Sequence, residues 1–181
     1  MSTTKALDGL RPSRIRGGSP NSSGMNEYRV SSGYAANIFT GDIVVNAGGY
    51  VNVLTTTTQK ALGVFMGCNY VANGEPKWSA YWPSGTSVTE AVAYVMDNPS
   101  ATFVIQADAS VSIGDINSQN FNVTLGAGST VTGRSGFGIN AGTRTTGNAM
   151  LRPIAVVNEP GNDIDVAAER AFPKLEVRIV K

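Results

Sequence analysis

From Gly33 to Asp108 the chain is cut at close intervals by turn residues, and no run between cuts is long enough for an ordinary helix. The apolar runs IFTGDIVV, YVNVL, ALGVFMGCNYV, KWSAYW, EAVAYVMD and TFVIQAD alternate with NAGG, TTTTQK, ANGEP, PSGT and NPSA. The runs are rich in Val, Ile, Tyr, Phe and Trp, side chains that pack well on a pleated surface. The breaks hold Gly, Pro and Asn, which reach positive φ or fix φ for a turn. This pattern predicts a mainly β chain: a compact antiparallel body, barrel-like or a sandwich.

With 181 residues there is room for one ordinary domain and an appendage. Apolar residues make up 41%, enough for a real core. Charged residues are only 15%, against about 25% in typical domains, which suits a β protein whose surface is largely covered in an assembly. The net charge of +1 creates no global field toward nucleic acid or membranes. No apolar run approaches the ~20 residues of a membrane span, and the N-terminus has no apolar signal-peptide core. Cys68 is the only cysteine, so the fold owes nothing to an internal disulfide. It is expected to pack as a small apolar residue.

Residues 1–27 differ from the rest, with few large apolar side chains and many Ser, Gly and Pro. They read as an extended arm that orders only against a partner, with the body running over 28–181. Lys5, Arg11, Arg14 and Arg16 make the arm basic, and Arg14-Ile15-Arg16 alternates as an edge strand laid on another protein would. In the body, EAVAYVMD is apolar on both faces, and Asn98-Pro99 predicts a hairpin to TFVIQAD. SIGDINSQNF suggests a single helical turn, and FNVTL a short strand. The Gly- and Thr-rich stretch from Gly126 to Asn148 reads as a long surface loop with one or two short strands. Pro153 inside AMLRPIAVVN argues for a sheet edge or a bulge. DIDVAAERAF reads as weak helix or loop. LEVRIVK alternates cleanly, with Leu175, Val177 and Ile179 inward and Glu176 and Arg178 outward.

The absence of histidine removes Ser-His-Asp and Cys-His catalysis and Cys/His zinc sites. Paired carboxylates remain, Asp108 with Asp115 or Asp163 with Asp165, but carboxylates at turns usually cap backbone N–H groups. Asn162-Asp163-Ile164-Asp165 lacks the ligand count of a calcium loop and reads as a solvated turn. GAGSTV, Gly126–Val131, has no Lys-Ser/Thr continuation and reads as flexible loop rather than a phosphate cradle. Arg16-Gly17-Gly18 is a single copy of a nucleic-acid-like motif with no aromatic beside it. No catalytic, cofactor or metal residue is assigned, and the chain is read as a binding or structural protein, not an enzyme. Trp78, Tyr81 and Trp82 form the densest aromatic cluster. On one continuous strand Trp78 and Trp82 would share a face, as core or as a subunit interface, with a sugar platform as the remaining use.

The runs GYAANIFTGDIVV, GGYVNV, ALGVFMGCNYV and GEPKWSAYWPSGT, with LRPIAVV and the closing LEVRIVK, resemble the capsid decoration, or cement, proteins of tailed bacteriophages. The resemblance covers roughly Tyr34 to the C-terminus. It implies a β-rich protein, often a homotrimer, on the outer surface of the virion, bridging subunits of the major capsid protein. It implies no catalytic residue, cofactor, nucleic-acid or membrane partner. On this reading Lys5, Arg11, Arg14, Ile15 and Arg16 touch the capsid, and Trp78, Tyr81 or Trp82 lie at or beneath a subunit contact. A glycan-binding or other accessory knob of the virion is the alternative.

Overall fold

The structure is a computed structural model that describes residues 4–16, 24–165 and 171–180. Its strands, in chain order, are β1 (Arg11–Ile15), β2 (Met25–Arg29), β3 (Ile38–Phe39), β4 (Ile43–Ala47), β5 (Tyr50–Val53), β6 (Gly63–Ala72), β7 (Glu75–Ser79), β8 (Tyr81–Trp82), β9 (Ala91–Met96), β10 (Ala101–Gln106), β11 (Asn120–Thr124), β12 (Gly138–Thr145), β13 (Leu151–Val156) and β14 (Lys174–Ile179). One 3₁₀ turn, Ile113–Asp115, accompanies them.

Five strands close a small barrel in the order β4-β5-β2-β9-β6, sealed where Ile43 and Val44 of β4 pair with Val64 and Gly63 of β6. The barrel interior is filled by Val44, Val51, Phe65, Cys68, Ala93 and Val95, with Trp82 fully buried among them. β3 and β8 pair as a short ladder that brings Ile38 and Trp82 into this core. The Trp82 indole meets the Tyr70 ring edge-on at 5.7 Å and donates its N–H to the Tyr34 carbonyl at 3.3 Å. Burial pushes the Cys68 thiol up to about 12, so it stays a neutral packing group, as its surroundings in the sequence suggest.

The second sheet has the order β1-β10-β14-β13-β11-β12. It curls until Ile139 of β12 meets Ala107 just beyond β10, where the Asp108 N–H donates to the Ile139 carbonyl at 2.9 Å. Phe103, Ile105, Phe121, Leu151, Leu175 and Val177 pack within it, and Ile43, Val45, Val64 and Met96 on the outside of the barrel join the same cluster. The alternation along β4 explains this. Ile43 and Val45 face the sheet while Val44 faces the barrel axis, so three successive residues are buried.

Several expectations are corrected. β9 and β10 do not form a hairpin: Asn98-Pro99 carries the chain from the barrel to the second sheet. β9 is covered on its barrel face by burial of Ala91, Ala93 and Val95, but on the outer face Val92 and Tyr94 stay half-exposed and only Met96 is covered. β2 and β5 run parallel at Arg29–Tyr50, an exception to the antiparallel reading. Gly138–Thr145 is an eight-residue strand rather than loop. Glu176 is buried at 8% rather than turned to solvent. Pro153 sits at a register shift between β13 and β14, as its ring requires. The arm is not separate from the body. Gly9 and Leu10 dock on the carbonyls of Phe137 and Gly41, Leu10 is fully buried, β1 pairs with β10, and β2 is a barrel strand. Residues 1–3 and 17–23 of the expected arm, and most of VAAERAF, lie outside the described residues.

Beneath this junction Asp42 is 2% exposed. Its Oδ2 accepts the Phe39 N–H at 2.7 Å, while Oδ1 makes no hydrogen bond among the described residues. Burial pushes the carboxyl from 3.8 up to about 6, against the pull of the nearby Ser135 hydroxyl and the Phe39 N–H. A carboxyl with a raised folded pKa stabilises the fold fully below its unfolded pKa. That contribution is lost as pH rises through about 6. The gap corresponds to a loss on the order of 3 kcal/mol by neutral pH. Asp42→Asn keeps an acceptor for Phe39 and removes the buried charge. It should raise Tm at about pH 7.5 and leave it nearly unchanged at about pH 4. An equal Tm difference at both pH values, by calorimetry, would show that Asp42 does not titrate in this window.

Candidate functional site

The expected arm residues divide into two groups. Arg14 reaches back across β10 to Glu176 of β14, its Nε donating to Oε1 and its Nη2 to Oε2, both at 2.8 Å. The Thr102 hydroxyl donates to the same Oε1 at 2.6 Å. Ile15 is half-buried opposite Ala101. These two therefore hold β1 onto its own body rather than standing free for a partner. Lys5, Arg11 and Arg16 stay exposed. Arg11 lies 3.5 Å from Asp8, which Arg134 also approaches at 3.8 Å. β1 is an edge strand: its inner side pairs with β10, and no described strand covers its outer side.

The aromatic cluster is also divided. β7 ends at Ser79, whose hydroxyl bonds both the carbonyl and the N–H of Tyr81, and the chain turns before β8 begins. The turn breaks the alternation that would place Trp78 and Trp82 on one face. Trp82 enters the barrel core, Tyr81 is half-buried and stacked on Phe39 at 5.5 Å, and Trp78 stands 67% exposed. Trp82 is core, Tyr81 keeps only part of its surface in solvent, and Trp78 alone of the three is exposed.

Trp78 borders an open groove of about 350 Å³, walled by Asn69, Val71, Pro76, Lys77 and Glu90. Asn69 is held in place by its amide donating to the Tyr94 hydroxyl at 2.7 Å. A second groove of about 240 Å³, lined by Arg29, Ser32 and Tyr50, shares Glu90 and Val92 as its wall. Among the described residues β7 is the outer strand of this sheet, paired only with β6. Asn73 and Gly74, with φ of 54° and 79°, form the two-residue turn between them. In such a hairpin the closing Ala72–Glu75 pair is hydrogen-bonded, so Pro76 and Trp78 turn their backbone groups to the open edge. Pro76 has no N–H to give there, which blunts the edge against strand addition.

The remaining candidate motifs are structural. Asp108 accepts the Thr124 hydroxyl at 2.5 Å and the Ala141 N–H at 3.0 Å. Asp115 accepts the Ser112 N–H and an Arg144 N–H, both at 3.1 Å, so these carboxylates serve different neighbours. Asp163 accepts the Asp165 N–H at 2.9 Å in a turn. Asn162 is buried and bonds Val157 and Lys174 on either side of that turn. No group of three Cys, Asp or Glu side chains able to hold a metal occurs among the described residues. GAGSTV exposes Ala127, Ser129, Thr130 and Val131, but its glycines are closely packed. A Cβ on Gly126 would collide with the Gly136 carbonyl, and one on Gly128 with the Phe39 ring. Gly17 and Gly18 lie outside the described residues.

Sequence reasoning missed the Arg14–Glu176–Thr102 cluster and the buried Asp42. One signal for the first was present, a lone acid in the apolar strand LEVRIVK. Its basic partner lies 162 positions away. Comparison with protein-family models, curated proteins and solved structures finds no match.

Burial works to raise the Glu176 carboxyl, but hydrogen bonds from Thr102 and Arg14 and the Arg14 charge outweigh it and hold it below its ordinary 4.5. A lowered folded pKa stabilises above the unfolded value and is lost as pH falls through the folded one. Arg14 is 62% exposed, so solvent screening limits the ion pair to about 1 kcal/mol or less. Glu176→Gln should make the β1 amides exchange hydrogen several-fold faster at neutral pH. The native chain should show the same loosening only on acidification below the usual Glu range. Unchanged exchange over Arg11–Arg16 in the variant would show that backbone pairing alone holds the strand.

Proposed function

We propose that this chain is a capsid decoration protein of a tailed-bacteriophage head. It binds the outer capsid surface as a homotrimer and strengthens contacts between subunits of the major capsid protein, with no catalytic step. The observation that supports this most is the N-terminal edge strand. Arg11–Arg14 are exposed along β1, no described strand covers its outer side, and Lys5, Arg11 and Arg16 are exposed beside it. A strand already ordered on its own body loses little conformational freedom when it docks. An open edge offers main-chain hydrogen bonds, and flanking cations add charge contacts with acidic capsid side chains. The resemblance to decoration proteins and the low overall charge support the same reading.

The mechanism is linkage. A protein that binds only the assembled shell adds its binding free energy to shell stability. A trimer engages several capsid subunits at once, so weak contacts sum to firm attachment.

The test must spare the body, because deleting the N-terminal segment would remove the buried Leu10. The triple variant Lys5→Glu, Arg11→Glu, Arg16→Glu alters only exposed side chains. It should keep its Tm within a few degrees and decorate undecorated heads of the same phage at least about tenfold more weakly. Heads mixed with it should release DNA at a lower temperature than heads mixed with the native chain. Full decoration by the variant overturns arm docking, and failure of the native chain to decorate those heads overturns the function.

A further inference from the structure

We propose that the paired grooves on either side of Glu90 and Val92 form a binding site for an extended saccharide, with one sugar ring stacked on Trp78 and another near Tyr50. The site does not rest on the capsid reading, since it lies on the barrel and not on the N-terminal strand.

Three observations lead to it. The first is exposure. Trp78 is 67% and Tyr50 44% solvent-accessible, while Trp82 of the same barrel is fully buried. A flat apolar ring held in water on an ordered strand is a stacking surface for the C–H face of a sugar. The second is the company Trp78 keeps. The groove beside it carries Lys77 and Glu90 with the amide of Asn69, and the adjoining groove carries Arg29, Ser32 and Thr89. The core of a protein–protein interface is depleted of Lys and Glu. A few placed polar groups around an apolar floor are instead what a ligand with many hydroxyls needs. Asn69 is pre-set for this, because its amide already donates to Tyr94 and its carbonyl oxygen, which takes no hydrogen bond among the described residues, can accept a hydroxyl proton. The third is the edge. Pro76 removes the N–H that an added strand would require, so a peptide laid along β7 would lose a ladder bond.

The register sets the shape of the ligand. Trp78, Asn69, Val92, Arg29 and Tyr50 are successive cross-strand partners over β7, β6, β9, β2 and β5. At about 4.8 Å per strand, the row from Trp78 to Tyr50 runs roughly 19 Å along the barrel surface. The ligand is therefore a chain of several sugars curving with the barrel, not a monosaccharide.

The two tryptophans make the test direct. Trp82 is sealed in the core, so acrylamide quenching of native fluorescence reports Trp78. Cellohexaose, maltohexaose, chitohexaose and purified lipopolysaccharide O-chain are each titrated into the full chain. At least one should protect Trp78 from quenching with saturation, while its monosaccharide does not at the same concentration. Trp78→Ala and Tyr50→Ala, followed by calorimetric titration, should each weaken binding by about tenfold or more at unchanged Tm, and Trp78→Phe should recover part of the loss. No saturable binding of any of the four overturns the proposal, as does full affinity in Trp78→Ala. Protection of Trp78 that depends on protein concentration without sugar also overturns it, because the face is then a contact between copies of this chain.

Discussion

The barrel core is built on two large aromatic rings among smaller residues, Phe65 and, the largest fully buried side chain of the described residues, Trp82. Removing a buried aromatic of this size typically costs about 3–5 kcal/mol, a large part of the stability of a single domain. Its placement dictates the local path. β8 must leave the plane of β7 to point the indole inward, and Ser79 and Thr40 secure the turn, the latter by donating to the Ala80 carbonyl at 2.5 Å. The same turn leaves Trp78 outside. One aromatic cluster thus supplies both a ring of the barrel core and the exposed tryptophan.

The barrel also serves as a wall for the second half. Ile43, Val45, Val64 and Met96 are outer barrel residues that complete the core of the six-stranded sheet. The N-terminal segment crosses both halves: the Ala6 N–H donates to Gln106 at 2.8 Å, the Gly9 N–H to Phe137 at 3.1 Å and the Leu10 N–H to Gly41 at 3.0 Å. Gly9 has φ of 78° and lies so close to Ser135 and Gly41 that no side chain fits. The segment is a clasp that ties Gly41, the residue before the buried Asp42, to Phe137.

What was legible in the sequence was local. Runs of β-branched and aromatic residues between Gly, Pro and Asn identify strands, because propensity and turn chemistry act over a few residues. LEVRIVK gave its inward Leu175 and Val177, and Pro153 its bulge. Sheet membership was not legible. Asn98-Pro99 has the composition of a hairpin turn, yet β9 and β10 join different sheets, since partner choice is decided by burial of distant residues such as Met96 and Phe103. The arm misled for the same reason. Its composition is that of an unpartnered tail, but Leu10 and Arg14 find partners near Phe137 and at Glu176, far along the chain. The division of Trp78 from Trp82 depended on a turn at Ala80 that alternation cannot anticipate.

Both proposed contact surfaces separate residues that hold the fold from residues that face water. On the N-terminal segment, Leu10, Arg14 and Ile15 face the body, while Lys5, Arg11 and Arg16 face water. On the barrel, Cys68, Tyr70, Ala91 and Ala93 pack toward the axis, while Asn69, Val92 and Trp78 lie on the outer face of the same ladder. On β1 the register shift between Pro12 and Arg14 interrupts the two-residue period of a strand, and consecutive Arg14 and Ile15 both hold to the body. On the barrel that period puts folding and contact on opposite faces of one element. Outer residues can therefore change a partner without disturbing the core, whereas a one-residue slip in register would exchange the two sets and lose both. The long β6 guards against such a slip by pairing with β4, β7 and β9 at once, so its register is fixed from several directions.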